Sequence, residues 1–199
     1  MAEKRKTPAI SRLSRILIIC EGYEEYDYLT AVYNLEVWSK RLDITVKNAR
    51  SLDNIAGQYQ YEFFNENYDF IMAFCDTEVP PYRQFRLLME KISAITGKNK
   101  ALKHICFSNP CTMQIILSHF DKVMLDSNQK SDNAPIIQKL TGVYGYRAHE
   151  PQRRKIAALI SKENYFDMKQ NLISLADDFK IIPSTNALYF FNKLESGKI

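Results

Sequence analysis

Three acidic residues carry the chemistry this chain offers: Glu21, Asp76 and Glu78. Glu21 ends the run Ile16-Leu17-Ile18-Ile19-Cys20, continuously apolar after Arg15, and Asp76 ends a second, Phe70-Ile71-Met72-Ala73-Phe74-Cys75. Runs that are apolar at every position read as strands covered on both faces, as in a parallel sheet. Ligands of open parallel sheets sit outside the carboxyl ends of the strands, so the two acids are expected to face one crevice. Glu78 lies two residues beyond Asp76 and, in an extended turn, projects to the same side. Carboxylates so placed repel one another unless a cation sits between them. A hard divalent ion, Mg²⁺ or Mn²⁺, is the expected occupant, able to polarise a phosphoryl oxygen and activate water. The plainer alternative is that the acids only form turns and cap helices, since D-x-E alone says little.

The elements that must position these acids alternate. After Glu21-Gly22, the stripe Tyr28, Leu29, Val32, Tyr33, Leu35 and Trp38 predicts a helix. Leu42 to Val46 reads as a short strand and Ile55 to Phe64 as a helix with aromatic residues along one side. Beyond Asp76, Pro80 and Pro81 break the chain, Phe85 to Ile95 returns to helical spacing, and Lys103 to Phe107 is a fourth strand. This order predicts an α/β core: a mainly parallel four-stranded sheet flanked by helices. After Pro110 the pattern turns helical, with a helix over Thr112 to Val123, a polar loop at Ser127 to Asn133 and an aromatic turn region at Gly142 to His149. Helices then cover Arg153 to Ser161, Phe166 to Asp177 and Ala187 to Leu194, the last capped by Ser184-Thr185-Asn186. Three parts result: a basic leader (1–14), the α/β core (15–125) and a helical C-terminal extension (126–199) packed on it.

A chain of 199 residues with 46% hydrophobic and 25% charged residues builds one substantial core, which excludes a disordered or fibrous protein. Lys and Arg outnumber Asp and Glu by 27 to 23, a net charge of +4. Two clusters carry much of the excess: Lys4, Arg5, Lys6, Arg12 and Arg15, then Arg147, Arg153, Arg154 and Lys155. They read equally as solvated surface and as contacts to nucleic-acid phosphates. Cys20, Cys75, Cys106 and Cys111 show no CxxC spacing and predict buried free thiols in a reducing compartment. The apolar stretch Ile16 to Cys20 is too short for a signal-peptide core or a membrane span, so a cytoplasmic location is expected. No glycine-rich phosphate loop is present, which weighs against a small phosphotransferase.

Four segments carry a family resemblance. ILIICEGYEEYDYL (16–29) resembles the opening of RloB-like proteins, and FCDTEVPP (74–81) resembles their Asp-x-Asp turn. HICFSNPCTMQIILSHF (104–120) is similar to their Ser-Asn-Pro-Cys-Phe-Glu segment ending in His-Phe, and IPSTNALYFFNKLE (182–195) to their C-terminal Pro-Ser-Thr-Asn element. The segments occur in family order. The resemblance implies a topoisomerase-primase (Toprim) fold and a metal-dependent nuclease of restriction or abortive-infection loci, acting on DNA or RNA beside an ATPase partner. It further implies Glu21 as general base or metal ligand, Asp76 and Glu78 as ligands, and Glu25 as the second acid of the opening motif. Ser108, Asn109 and His119 fall within matched segments, and Arg83 and Arg86 follow the acidic turn closely enough to flank a phosphate path. Each also has an ordinary role: strand-end turn, buried histidine, surface charge. Three departures stand out. The usual lysine after the glycine is missing, Glu78 replaces an aspartate, and Met113 stands where the family has a glutamate. A thioether cannot replace a carboxylate on a hard cation. The departures point to the alternative of a non-cutting Toprim module that serves as adaptor or sensor.

Overall fold

The computed structural model describes residues 12–98 and 100–199. Of the basic leader, Lys4, Arg5 and Lys6 lie outside the described residues.

The first apolar run forms β1 (Ser14–Cys20) and the second β3 (Phe70–Asp76), with β2 (Leu42–Asn48) and β4 (Ile105–Asn109) as their neighbours. The sheet order is β2-β1-β3-β4-β5, where β5 (Ser184–Thr185) is a two-residue strand, so the sheet has five strands rather than four. The first four run parallel, and β5 lies antiparallel to β4. Neighbours β1 and β3 are followed by chains that leave toward opposite faces. Their carboxyl ends therefore bound the crevice where such sheets place ligands.

Alternation along the strands sorts their residues into two cores. Ile16, Ile18, Cys20, Met72, Phe74 and Cys106 face α1 (Tyr23–Asn34) and the C-terminal helices. Leu17, Ile19, Ile71, Ala73, Ile105 and Phe107 face α2 (Leu52–Phe64) and α3 (Arg83–Thr96). Burial on both sides is what makes the runs apolar throughout.

The segment after Asn109 departs from the predicted elements. Helix α4 covers only Met113–Leu117, not Thr112 to Val123. Its continuation is diverted because the Gln114 side chain donates to the Val123 carbonyl and accepts from the Leu125 amide, both at 2.9 Å, folding residues 118–125 back over the helix. The expected polar loop at Ser127 to Asn133 is in part helical: α5 spans Lys130–Thr141. Helix α6 (Glu150–Ala157) follows, and α7 (Lys162–Leu172) starts earlier than expected because Ser161 and Asn164 form a reciprocal capping box. Helix α8 (Ala187–Ser196) closes the chain.

Of Ser184-Thr185-Asn186, the expected cap of the last helix, Thr185 does cap α8, its hydroxyl accepting from the Ala187 amide at 3.1 Å, whereas the Asn186 side chain turns to the sheet. Asn186 Oδ1 accepts from the Phe107 amide at 2.8 Å while its Nδ2 donates to the Ile105 carbonyl at 2.8 Å, so the side chain bonds β4 as a peptide group would. The Thr185 hydroxyl adds a bond to the Phe107 carbonyl at 2.6 Å. The C-terminal part therefore completes the sheet and shares the first core. All four cysteines are free and buried, and no helix among the described residues is long and apolar enough to cross a membrane.

Candidate functional site

Glu21 follows β1 directly, and its backbone amide donates to the Phe74 carbonyl at 3.1 Å, extending the β1–β3 ladder by one bond. Its carboxylate turns across the crevice, where Oε2 accepts from the Asp76 amide at 3.2 Å. Asp76, the last residue of β3, is held from the other side by the Thr112 hydroxyl, which donates to Oδ1 at 2.7 Å. Glu25 folds back from the first turn of α1, and its Oε2 accepts from the Gly22 amide at 2.9 Å. Glycine suits position 22 because a Cβ there would stand 3.1 Å from that oxygen. These acids line a cleft of about 410 Å³ whose other walls carry Arg50, Ser51, Lys130 and Arg153.

The charges in this cleft are poorly compensated. Burial, followed by the Glu25 carboxylate, pushes Glu21 up to about 8, and only the Asp76 amide and Lys130 pull the other way. Burial and the Glu24 charge bring Glu25 up to about 7. Asp76 is pushed well above the usual carboxylate range by its complete burial and then by Glu25 and Glu21. Burial lowers the Lys130 ammonium, but Glu24, Asp76 and Glu25 outweigh it and hold the group above its ordinary value. Lys130 Nζ pairs with Glu24 at 2.7 Å, and Arg153 Nε pairs with Asp27 at 2.8 Å. Each cation is thus bound to a carboxylate of α1 rather than to the buried acids.

Glu78 stands apart. The turn after β3 is not extended there, since Glu78 has φ 59°, in the left-handed region. Its carboxylate oxygens lie 2.8 and 2.9 Å from the Gln84 amide nitrogen, with that amide oriented to donate. Partial burial and the neighbouring Asp53 raise it. Among the described residues no three His, Cys, Asp or Glu side chains converge closely enough to hold one ion. A Mg²⁺ ion needs fewer, because it commonly keeps several waters and takes only one or two carboxylates plus substrate phosphates. Glu21 and Asp76 fit that donor set; Glu25 is committed to Gly22 and Glu78 to Gln84.

The remaining candidates do not line the cleft, although Ser108 pairs with Asp76 across β3 and β4. The Ser108 hydroxyl donates to the Cys111 carbonyl at 2.7 Å, and Asn109 Nδ2 donates to the Phe179 and Ile181 carbonyls at 2.7 and 3.0 Å, so both fix loops. His119 is buried between the Tyr28 hydroxyl and the Asn164 side chain, each at 3.1 Å, and burial lowers it to about 4. Arg83 is exposed at the start of α3, outside the cleft lining. Met113 packs in the apolar core at 3% exposure. Thr112, Lys130 and Arg50 were not singled out by sequence. Thr112 follows the Ser-Asn-Pro-Cys motif and was within reach of inference, whereas nothing local marks the other two. No protein-family model, curated protein or solved structure matches this chain.

Proposed function

We propose that this chain is a divalent-cation-dependent phosphodiesterase of the Toprim type, a nuclease or nuclease-like subunit of a prokaryotic antiviral system that acts with an ATPase partner. The observation that supports it is the pairing of Glu21 with Asp76 at the carboxyl ends of β1 and β3, buried and under-neutralised at the crevice. Glu21 and Asp76 hold Mg²⁺ or Mn²⁺, with Glu78 and Glu25 as flanking acids. The bound cation supplies Lewis-acid polarisation of a phosphoryl oxygen and a more acidic water. The chain's own residues do the positioning. Thr112 fixes one Asp76 oxygen and leaves the other open, the Asp76 amide aims the Glu21 carboxylate, and the basic wall of the cleft draws the phosphate backbone. The antiviral context and the ATPase come from the resemblance to RloB-like proteins.

The test is a nuclease assay with Mg²⁺ and Mn²⁺ on plasmid, single-stranded DNA and transfer RNA, with and without the ATPase partner. Cutting that Asp76→Asn abolishes is the expected result, and Glu78→Gln should reduce it less. If the reconstituted pair cuts none of these substrates, the nuclease reading fails. One observation favours a second reading: Met113 is buried in the core, so no further carboxylate joins Glu21 and Asp76 from α4. A module that no longer cuts would serve as adaptor or sensor, and Asp76→Ala would then leave partner binding intact.

A further inference from the structure

The cleft carries more than its acids. Among the described residues Arg50 makes no salt bridge, although Lys130 and Arg153 on the same cleft are each paired with a carboxylate. The Arg50 amide donates to Asn48 Oδ1 at 2.7 Å, which fixes the residue at φ 70° between β2 and α2 and leaves its guanidinium exposed. Next to it Ser51 occupies the N-cap of α2, and among the described residues its hydroxyl neither accepts a cap bond nor donates to another group, so it is free on the same wall. Tyr23, 55% exposed, stands on the same cleft at the start of α1, where the Arg153 guanidinium lies 5.4 Å from its ring centroid. An uncommitted guanidinium beside a free hydroxyl matches a phosphate, and an exposed ring backed by a cation matches a nucleobase. Glu21, Glu25 and Asp76 line the same cleft.

We infer that the cleft takes an unpaired nucleic-acid strand, with one backbone phosphate on Arg50 and Ser51 and one base against Tyr23. The inference rests on the phosphodiesterase reading for its substrate class and adds the strand state and the residues that select it. A volume of about 410 Å³ suits a nucleotide unit rather than a double helix. A tyrosine face is also useless to a base already stacked in a duplex, whereas an unpaired base offers its face.

Fluorescence anisotropy tests this with labelled oligonucleotides of about a dozen nucleotides, single-stranded DNA, single-stranded RNA and duplex DNA, in Ca²⁺ and in EDTA. In Ca²⁺ the wild-type chain should bind single strands at least about tenfold more tightly than duplex, and the DNA and RNA arms show which sugar is preferred. Arg50→Ala should weaken single-strand binding about fivefold or more and lower the salt slope by about 0.7, the value for one lost phosphate contact, while Arg50→Lys restores that slope. Tyr23→Ala should weaken binding by a similar factor without changing the slope. Lys40→Ala, which removes an exposed charge on another part of the surface, should bind like wild type. The two diagnostic variants, Arg50→Ala and Tyr23→Ala, sit at exposed positions, and unchanged melting curves establish that they fold. Equal or tighter duplex binding, wild-type affinity in either variant, or no binding in any condition would overturn the inference. Binding with these signatures but no cleavage in Mg²⁺ removes the nuclease reading alone; duplex cleavage unaffected by Arg50→Ala removes this inference alone.

Discussion

At the level of single residues, the acids of the cleft set how the protein answers to pH and, on the proposed reading, to Mg²⁺. Glu21 ionises near 4.5 in an unfolded chain but keeps its proton up to about 8 in the fold, mainly because it is buried. Between those values the native state binds more protons than the unfolded state, so stability falls as pH rises. Below the window both states are protonated and the effect vanishes; above it both are ionised and the penalty is complete. Glu25 and Asp76 act in the same sense. The metal-free protein should therefore melt at a falling temperature between about pH 5 and pH 8, and Mg²⁺ should recover the alkaline side. Asp76→Asn should raise the alkaline melting temperature of the metal-free protein and erase the Mg²⁺ response. A melting temperature that climbs across this range without metal would refute the account. Thr112→Val keeps the shape of the side chain but removes the donor to Asp76, which should cost about 1–3 kcal/mol and weaken Mg²⁺ binding, as titration calorimetry would register. Much of this was legible in the sequence, since Glu21 and Asp76 each end an apolar run. Glu78 was not, because its placement depends on a left-handed turn that residue spacing does not report. Arg50 and Lys130 reach the cleft through tertiary folding alone.

At the level of elements, the four parallel strands were legible, whereas the two-residue β5 and the helix breaks were not. β1 and β3 announce themselves because both faces are buried, so Ile16 to Cys20 and Phe70 to Cys75 are apolar throughout. The assignment of alternate residues to separate cores becomes visible only once the sheet order is known. Helix α4 ends early because Gln114 spends its amide on two distant backbone groups, a capture that helical periodicity cannot reveal. Asn186 deceived for a chemical reason: the side chain that caps helices is also the one that best imitates a peptide group. Asn186→Ala should leave the Phe107 amide and Ile105 carbonyl without these partners and cost on the order of 2 kcal/mol in denaturant unfolding. Ser161→Ala should cost about 1 kcal/mol by removing the capping box of α7. If Asn186→Ala were neutral while Ser161→Ala was not, the bonds to β4 would not be stabilising.

At the level of the whole molecule, the chain after residue 126 shares one core with the sheet. The single tryptophan, Trp38, stacks on Phe191 of α8 with ring centroids 6.5 Å apart, and the Ser39 amide donates to the Leu194 carbonyl at 2.9 Å. Trp38 fluorescence consequently reports directly on whether α8 is seated. Thermal unfolding followed by that signal and by far-UV circular dichroism should coincide in one transition. Phe191→Ala should lower stability by about 3–5 kcal/mol. A Trp38 transition well before loss of secondary structure would mean that α8 leaves separately. The peptide-like grip of Asn186 on β4 has a further effect. A sheet margin with vacant amides and carbonyls is a template on which another chain can align, the first step toward fibrous aggregates. Here the two-residue β5 and the amide of Asn186 occupy the vacancies of β4, while Asp43 and Lys47 put charge along β2 at the opposite margin. Replacing Asn186 should therefore be read out by light scattering as well as by unfolding, because an uncovered β4 would let copies of the chain polymerise edge to edge.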